Sequence, residues 1–289
     1  MLFSWLARMS STSFKFRYLR VLTIAGSDSG GGAGIQADLK TIAALGCYGM
    51  TAVTALTAQN TTGVRAIHGI PPDTLQHQID AVVEDIGVDA VKIGMLHSPD
   101  VVQVVAHAID RHALKNIVLD PVMVATSGAV LIDHPAIAAL VAQLFDRAAV
   151  VTPNLDEAAL LVGRSLNSEQ SMAIAAQELL AMGAKAVLLK GGHLPGDQVS
   201  DLLMTAEGGF HWMRAPRIHT ANTHGTGCTL SSAIAAHLAL GLALPAAVEA
   251  ARQFVRAALE AGATVQTGAG SGPLNHGHAP QAMKLRPLP

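Results

Sequence analysis

The chain has 289 residues, of which 50% are hydrophobic and only 14% are charged, and its formal net charge is −2 at pH 7. An average soluble domain carries about 25% charged residues, so this composition indicates a largely buried polypeptide and excludes an intrinsically disordered one. The charge balance also excludes the basic surface typical of nucleic-acid-binding proteins and of proteins drawn to anionic membranes. Two cysteines, Cys47 and Cys228, are too few for a disulfide framework and favour a reducing, cytoplasmic setting.

The first segment, residues 1–20, is interpreted as a leader outside the fold. Met1–Ser27 contains no acidic residue but carries Arg8, Lys15, Arg17 and Arg20, a composition that resembles a transit peptide. The segment shows no apolar period and no motif. We therefore predict a disordered leader or an overlong start, for which Met9 offers a second initiation point.

Short β-rich runs alternate with helical stretches after this leader. The predicted strands are Val21–Ala25, Tyr48–Leu56, Ala90–Ile93, Ile117–Leu119, Val150–Thr152 and Ala186–Lys190. The predicted helices are Ile35–Leu45, Thr74–Asp85, Asp100–His112, Ala136–Leu144, Glu169–Met182 and Pro245–Ala261. Such alternation predicts βαβ units and a largely parallel sheet. No linker or repeat interrupts the chain, so we predict one α/β domain over residues 21–289.

Two segments depart from this alternation. Ser200–Thr205 and Gly209–Arg214 are separated by a short turn and predict a β-hairpin. Leu230–Val248 has about the length of a membrane span. Polar and helix-breaking residues interrupt it and no basic cluster flanks it, so we predict a buried helix and no membrane contact.

Small or polar residues follow most of the predicted strands. They are Gly26-Ser27-Asp28, Thr57-Ala58-Gln59-Asn60, Gly94-Met95, Asp120-Pro121-Val122, Pro153-Asn154 and Gly191-Gly192-His193. Any one of these segments is compatible with an ordinary turn. Because ligands of open parallel sheets bind beyond the carboxyl ends of the strands, the set as a whole predicts a binding crevice at that edge.

The segment Asn222–Thr229 carries the strongest local signal. It holds Gly225-Thr226-Gly227-Cys228 in front of an apolar helix that we predict to begin near Gly227. Free amides and the helix dipole at such an end form an anion site, and the same field lowers the pKa of a thiol, which predicts a thiolate at Cys228. A tight turn with Cys228 as a small buried residue is the alternative, and the segment alone leaves both open. The chain has no P-loop, H-E-x-x-H or G-x-S-x-G motif.

These segments, read together, resemble the hydroxymethylpyrimidine and phosphomethylpyrimidine kinases of the ribokinase superfamily, from about Val21 to His278. The motifs that carry the resemblance are Ala25-Gly26-Ser27-Asp28, Gly31-Gly32-Ala33-Gly34-Ile35-Gln36-Ala37-Asp38, Thr57-Ala58-Gln59-Asn60, Lys92-Ile93-Gly94-Met95, Leu119-Asp120-Pro121-Val122-Met123, Thr152-Pro153-Asn154 with Glu157, Lys190-Gly191-Gly192-His193, His224–Thr229 and Gly270–His276. One departure is Ser29-Gly30, where many members carry Pro-Ser.

The resemblance implies a ribokinase-like three-layer α/β/α sandwich with a largely parallel central sheet. It implies an enzyme that phosphorylates 4-amino-5-hydroxymethyl-2-methylpyrimidine and then the resulting monophosphate, for thiamine biosynthesis. ATP and Mg²⁺ are the implied cofactors, and relatives suggest a homodimer. No nucleic-acid partner is implied.

The resemblance also assigns roles to individual residues. Cys228 is expected to accept the hydroxyl proton, while the amides of Gly225, Thr226 and Gly227 hold the transferred phosphoryl group. The expected pyrimidine contacts are Gly26, Asp38, Gln59, Met95 and Val122. The expected ATP contacts are Asn154, Lys190, Gly191, Thr223 and Gly225, and Mg²⁺ is expected at Asp120 and Glu157 through waters.

Alternatives remain open for two residues and for the function. Glu157 also suits the first turn of a helix, where an acid complements the dipole, and Gln59 also suits a cap for the turn before Thr61-Thr62-Gly63. A pyridoxal-type vitamin B6 kinase is the nearest alternative function. A non-catalytic nucleotide-sensing subunit is another, and the joint presence of Cys228 and Lys190 with the two acidic residues argues against it.

Overall fold

The computed structural model describes residues 14–123 and 132–288. The strands are β1 (Phe16–Tyr18), β2 (Arg20–Asp28), β3 (Tyr48–Asn60), β4 (Gly63–Gly69), β5 (Ala90–Ile93), β6 (Ile117–Leu119), β7 (Val150–Val151), β8 (Ala186–Leu189), β9 (Gln198–Thr205), β10 (Phe210–Pro216) and β11 (Leu285–Pro287). The helices are α1 (Gly34–Ala44), α2 (Pro72–Asp85), α3 (Pro99–Arg111), α4 (His134–Leu144), α5 (Leu155–Val162), α6 (Glu169–Ala181), α7 (Thr226–Ala239) and α8 (Leu244–Gly262).

The main sheet has the strand order β10-β9-β8-β7-β6-β5-β2-β3-β4. Its centre, from β3 through β2 and β5 to β8, is parallel. The strands β4, β9 and β10 pair antiparallel at the two edges, and β9 with β10 is the predicted hairpin. The chain runs from β2 to β3 on one side and then crosses to β5 on the other. This reversal opens a crevice at the carboxyl ends of β2 and β5.

Helices cover both faces of this sheet. Leu22 and Ile24 of β2 enter one apolar cluster, with residues of α2, α3, α4 and α6. Val21 enters the other, with residues of α1, α7 and α8. Successive side chains of a strand point to opposite faces, so strands buried on both sides must be continuously apolar, as the predicted ones are. The predicted three-layer α/β/α sandwich with a largely parallel sheet is confirmed.

Four elements were not predicted: β4 and α5 within the main body, and the terminal strands β1 and β11. The strand predicted to end at Leu56 continues to Asn60 and pairs antiparallel with β4, whose residues are mostly exposed and lack a period-2 apolar pattern. The short helix α5 follows β7, and it begins at the capping side chain of Asn154. Both β4 and α5 are defined by neighbouring contacts rather than by their own apolar periodicity.

The prediction of one buried helix over Leu230–Val248 is wrong. Helix α7 ends at Ala239 and α8 begins at Leu244. Gly241, with a φ of +95°, makes the turn between them, and the proline after Leu244 suits the first turn of a new helix. No helix in the described ranges is long and apolar enough to cross a membrane.

The predicted leader differs from the structure over its last residues. Phe16–Tyr18 forms β1 and pairs antiparallel with β11 near the other end of the chain, with Tyr18 opposite Leu285. Arg17 reaches Asp89 at 2.7 Å. The fold therefore starts before Val21, while residues 1–13 lie outside the described ranges. A strand whose partner lies about 270 residues away has no local signature.

Candidate active site

The carboxyl ends of the parallel strands open into a cavity of about 730 Å³. Most of the predicted site residues line it, as expected from their positions after the strands. Those that do are Gly26, Gln59, Met95, Asp120, Val122, Asn154, Glu157, Lys190, Thr223, Gly225, Thr226, Gly227 and Cys228. Asp38 and Gly191 do not line the cavity and lie behind its wall.

The anion loop, Thr223–Cys228, ends in the first turn of α7. Gly225 is the helix N-cap, with a φ of +84° and no capping side chain. A Cβ on Gly225 would overlap the carbonyl oxygen of Gly32, and a Cβ on Gly227 would lie 3.1 Å from Lys190 Nζ. Both glycines thus bring the backbone close to its neighbours. The Thr226 amide donates to the Thr223 carbonyl at 3.2 Å. A helix has no internal acceptors for its first amides, so those of Gly227 and Cys228 are the first-turn donors suited to an anion at the cavity wall.

Cys228 lies in this first turn, as predicted, but the predicted lowering of its pKa is wrong. Burial, together with the carboxylates of Asp38 and Asp120, raises the pKa of Cys228 to about 11. Lys92 and the amide of Gly34 act in the opposite direction without cancelling the burial. Desolvation disfavours the charged form of any acid, and here it outweighs the field of the helix. The side chain is a neutral thiol near pH 7.

A buried ion pair lies under the floor of the cavity. Asp38 is fully buried and its Oδ2 atom accepts hydrogen bonds from Thr23 Oγ1 at 2.6 Å and from Lys92 Nζ at 2.9 Å. Lys92 lines the cavity, and Asp38 holds its pKa above the usual value despite burial. The other carboxylate oxygen of Asp38 is buried without a hydrogen-bond partner. An unsatisfied buried acceptor costs free energy. Because Asp38 is fully buried and does not line the cavity, the structure shows it holding Lys92 and not facing a ligand.

Gln59 lies at the end of β3 and faces the cavity. Its Oε1 atom accepts from Thr57 Oγ1 at 3.1 Å, and its Nε2 atom lies 3.4 Å from Nε2 of His224. The following turn is capped by Asn60, whose Oδ1 atom accepts from the Thr62 amide at 2.9 Å. The alternative role of Gln59 as the cap of this turn is therefore wrong.

Asp120 and Lys190 form an ion pair directly behind the anion loop. Lys190 Nζ donates to Asp120 Oδ1 at 2.9 Å, and the hydroxyl of Thr152 donates to the same oxygen at 3.2 Å. Ser231 of α7 donates to Oδ2 at 3.2 Å. Burial raises the pKa of Asp120, but Lys190 and Lys92 outweigh it and hold the net pKa below its usual value. Asp120 is therefore ionised at the base of the phosphate-binding end.

Glu157 combines a structural role with a position on the cavity wall. Its Oε2 atom accepts from the Asn154 amide at 2.8 Å, while Asn154 Oδ1 accepts from the Glu157 amide at 2.9 Å, which makes a capping box for α5. The same oxygen lies 4.0 Å from Lys190 Nζ. Burial, with Asp120 nearby, raises the pKa of Glu157 to about 7 although Lys190 opposes it.

The end of the cavity near β8 and β9 contains residues that the sequence analysis did not identify. The Gly191 amide donates to Asp201 Oδ1 at 2.9 Å, and Asp201 Oδ2 pairs with Arg252 Nε at 2.8 Å. Arg252 of α8 is buried and lines the cavity with Asp201. Arg217 donates to the carbonyls of Gly192 and two later residues of the same loop. None of these contacts has a local sequence signal.

A further group outside the cavity has metal-ligand chemistry. Asp80, Glu84 and His112 bring their ligand atoms within 4.8 Å of one another on α2 and at the end of α3. His112 and Arg111 already engage Asp80, and Arg111 is half exposed. We assign this group no metal. The metal residues predicted from the resemblance, Asp120 and Glu157, are separate from it.

A three-layer sandwich with an anion loop at the start of α7 and a lysine–carboxylate pair behind it defines a ribokinase-like kinase. The family model for phosphomethylpyrimidine kinase matches residues 28–275, and the chain belongs to this family. It is therefore an enzyme, a phosphotransferase of the family expected from the resemblance.

Three relatives give the extent of the similarity. The hydroxymethylpyrimidine/phosphomethylpyrimidine kinase of Rhizobium meliloti is 50% identical over 260 residues, which cover 89% of this chain and 96% of the relative. The thiamine biosynthesis bifunctional protein of Geobacter sulfurreducens is 50% identical over 256 residues, and the match spans 52% of that longer protein. The crystal structure of an ADP complex of Bacillus subtilis pyridoxal kinase has a TM-score of 0.81 and 38% identity, and the match covers 89% of this chain and 96% of that one.

Proposed function

We propose that the chain transfers the γ-phosphoryl group of ATP to the hydroxymethyl oxygen of 4-amino-5-hydroxymethyl-2-methylpyrimidine, and then a second phosphoryl group to the resulting monophosphate, in thiamine biosynthesis. One observation carries this proposal. A single cavity holds the anion loop with Cys228 at one wall and the polar and apolar groups Gln59, Met95 and Val122 at another. The cavity therefore offers both a phosphoryl site and a site for a polar aromatic ring.

The ring site has donors and acceptors that suit an aminopyrimidine. The amide of Gln59 offers one of each, which matches a ring nitrogen beside an exocyclic amine. Met95 packs directly over Gly26, because a Cβ on Gly26 would lie 2.7 Å from the terminal carbon of Met95. A flat ring fits such a surface. Asp38 is fully buried and does not line the cavity, so it contributes to the ring site only by holding Lys92.

The transfer needs a base for the hydroxyl proton and donors that hold the γ-phosphoryl group in place. The hydroxymethyl oxygen forms a bond to the γ-phosphorus as the bond from this phosphorus to the β,γ-bridging oxygen breaks, and ADP leaves. The hydroxyl proton goes to the thiolate form of Cys228, which Lys92 stabilises. The amides of Gly225 and Gly227 hold the equatorial oxygens, where charge develops. The Thr226 amide donates to the Thr223 carbonyl and so fixes the loop that presents them.

The residues at the phosphate-binding end fit hydrated Mg²⁺. Both oxygens of Asp120 already accept hydrogen bonds, and Glu157 is engaged by the amide of Asn154. Such carboxylates hold Mg²⁺ through its waters more readily than directly. Bound there, Mg²⁺ would supply positive charge that stabilises the phosphates of the nucleotide. Lys190 supplies a fixed positive charge beside the anion loop, and Asn154, Thr223 and the Gly191-Gly192 loop are the proposed nucleotide contacts.

Pyridoxal is a second candidate substrate, and the similarity to the Bacillus subtilis pyridoxal kinase structure favours testing it. Pyridoxal also carries a hydroxymethyl group on a six-membered aromatic ring. The proposal is tested by ADP release with the hydroxymethylpyrimidine, its monophosphate and pyridoxal measured side by side. We expect ADP release with both pyrimidines. Release with pyridoxal alone would favour a vitamin B6 kinase, and release with none of the three would favour a non-catalytic subunit.

A variant separates ring recognition from nucleotide binding. We expect Gln59→Leu to lower the affinity for the pyrimidine by roughly 5- to 150-fold, because lost hydrogen bonds to a buried ligand edge cost about 1–3 kcal/mol. Calorimetric titration with each ligand alone measures this. The neighbouring Asn60→Ala, which removes only the turn cap, is the matched control. Equal losses for nucleotide and pyrimidine in Gln59→Leu would contradict the assignment.

The cellular setting belongs to the same proposal. We expect a cytoplasmic homodimer in which residues from Phe16 onward form one domain. The free thiols Cys47 and Cys228 support a reducing compartment. The exposed apolar side chains Leu56 and Ile67 on the edge of the sheet support a second copy at that edge. Sedimentation velocity measures the oligomeric state.

A further inference from the structure

One buried carboxylate organises the loop between β2 and α1. Asp28 is 3% exposed, and its two oxygens accept three backbone hydrogen bonds, from the amides of Gly30 at 2.8 Å, Gly32 at 3.0 Å and Ala33 at 2.9 Å. Burial raises the pKa of Asp28, but its hydrogen bonds to His224 and to these amides outweigh burial and hold the net pKa below the usual value. The carboxylate is therefore ionised and fixes residues 28–34, which we call the substrate loop.

The same carboxylate binds the anion loop. His224 Nε2 lies 2.9 Å from Asp28 Oδ2, and the histidine is 7% exposed. The backbone amide of His224 donates to Gly272 at 3.1 Å, which holds the histidine from the other side. Gly32 and Gly225 complete the contact, because a Cβ on Gly32 would overlap the His224 ring and a Cβ on Gly225 would overlap the Gly32 carbonyl. The two loops thus pack closely at these glycines, with the His224 ring against Gly32, and Asp28 with His224 is the polar link between them.

This link also reaches the residue proposed to recognise the ring. Gln59 Nε2 lies 3.4 Å from His224 Nε2. The backbone of Gln59 is tied to the substrate loop, because Ser29 Oγ donates to its carbonyl at 2.6 Å and the Gln59 amide donates to Ser29 Oγ at 2.8 Å. Any displacement of His224 therefore acts on both the ring site and the start of the anion loop.

We propose that Asp28 and His224 are positioning residues that couple the two ligands: they hold the substrate loop against the anion loop, so that a bound nucleotide strengthens pyrimidine binding. The inference rests on the proposed function. Neither residue carries the transferred proton. A phosphoryl transfer depends on the reacting oxygen and phosphorus being held close and in line, and a displacement of about 1 Å can cost about 100-fold in rate. Coupling of this kind is reciprocal, so the pyrimidine strengthens nucleotide binding by the same factor.

The test measures coupling, not activity alone. The dissociation constant of the pyrimidine is measured by calorimetry with and without a saturating non-hydrolysable ATP analogue and Mg²⁺. For the unaltered chain we expect at least about fivefold tighter binding with the analogue, within the usual range for coupled sites. For Asp28→Asn and His224→Gln we expect this factor to fall below about two. We also expect kcat to fall by about 10- to 100-fold while each KM changes far less.

A matched control distinguishes coupling from general destabilisation. Asp89→Asn removes another carboxylate, partly buried, that accepts several hydrogen bonds, but Asp89 lies outside the cavity. We expect this variant to lose thermal stability and to keep the coupling factor and kcat. A coupling factor that falls equally in Asp89→Asn would overturn the proposal.

The remaining outcomes also decide the question. Unchanged coupling in His224→Gln, or no coupling in a chain that turns over the pyrimidine, would overturn this inference and leave the proposed function intact. A chain that turns over neither pyrimidine would instead contradict the proposed function. If Asp28→Asn does not fold, His224→Gln carries the test, since it keeps all three amide bonds of Asp28. Unfolding of both variants by near-UV circular dichroism would assign the pair to the fold and overturn the positioning role.

Discussion

At the scale of single residues, two opposing sets of interactions act on the pKa of the Cys228 thiol. The start of α7 and Lys92 favour the thiolate, whereas burial and two nearby carboxylates favour the thiol. Burial prevails, and the pKa rises to about 11. A group with a raised pKa is neutral below that value and gains charge as the pH rises, so only a small fraction of Cys228 is thiolate near pH 7. A bound substrate and Mg²⁺ would change the thiolate fraction of Cys228 only by adding charges near the sulfur or by excluding water from it.

This balance predicts the pH dependence of activity. We expect kcat to rise from pH 7 toward pH 10, as the thiolate fraction grows, and Cys228→Ala to lose about 10²- to 10⁴-fold while still binding ATP. Cys228→Asp, which places an ionised carboxylate at the same position, should remove most of the rise. Steady-state rates over the pH range and calorimetric ATP binding measure these effects. A Cys228→Ala rate within twofold of the unaltered chain would reassign the thiol to packing.

At the scale of elements, the terminal sheet of β1 and β11 is tied to the body by Asp89. Its carboxylate accepts from Arg17 at 2.7 Å and from Arg20 Nε at 3.0 Å, and Arg286 of β11 lies 3.5 Å away. Burial raises the pKa of Asp89, but the hydrogen bonds from Arg17 and Arg20 outweigh it and hold the pKa at about 2. One side chain thus anchors both ends of the described chain.

The lowered pKa of Asp89 makes this anchor sensitive to acid. The folded-state pKa lies below the usual value of 3.8, so the stabilisation is present above about pH 4 and is lost as the pH falls toward 2. We expect Asp89→Asn to lower the free energy of unfolding by about 1–2 kcal/mol at pH 7, after allowance for solvent screening. Urea unfolding should show the same stability difference between Asp89→Asn and the unaltered chain at pH 7 and pH 5, and a smaller difference at pH 3.

A second carboxylate provides the comparison. Asp146 pairs with Arg147 at 3.0 Å but its side chain is 64% exposed. Exposed pairs contribute little, so Asp146→Asn should unfold like the unaltered chain at every pH. The anchoring role of Asp89 would be refuted by equal stability of Asp89→Asn and the unaltered chain at pH 7, or by a difference that is as large at pH 3 as at pH 7.

At the scale of the whole molecule, the cavity exists because the chain reverses direction between β2 and β5 and the strands on both sides supply its walls. Residues from β2, β3, β5, α5, α7 and α8 or the loops beside them line one space. A ligand that bridges these elements binds the folded state and not the unfolded chain. Folding and ligand binding are therefore thermodynamically linked.

This linkage predicts the effect of nucleotide on stability. At about 100 times its dissociation constant, an ATP analogue should add about 2.7 kcal/mol to the free energy of unfolding, which corresponds to a Tm rise of several degrees. Differential scanning fluorimetry with and without the analogue measures it. Gly191→Ala should reduce the rise, because a Cβ there would overlap the Ser200 carbonyl and displace the loop at the nucleotide end. Gly277→Ala is the matched control, because Gly277 lies outside the cavity, has no left-handed backbone, and a Cβ there would come no closer than 3.8 Å to Asn275 Oδ1. An unaltered Tm with analogue would contradict nucleotide binding in this cavity.

The sequence by itself determined the features that repeat locally or form contiguous motifs. Continuously apolar strands predicted the parallel core of the sheet, since burial on both faces leaves no polar position. The glycines and the thiol of Gly225-Thr226-Gly227-Cys228 predicted the anion loop, and the residues after the strands predicted the crevice, because parallel strands end at the same edge. The family resemblance rested on the same contiguous segments and was confirmed by the family model.

Tertiary structure alone decided the features that depend on distant contacts and on burial. The β1–β11 pairing, the Asp201–Arg252 pair and the contact of Asp28 with His224 join residues 51 or more positions apart. The charge state of Cys228 reversed for a related reason. The helix field that favours a thiolate is visible in the order of residues, whereas the desolvation that opposes it depends on how closely the rest of the chain surrounds the sulfur.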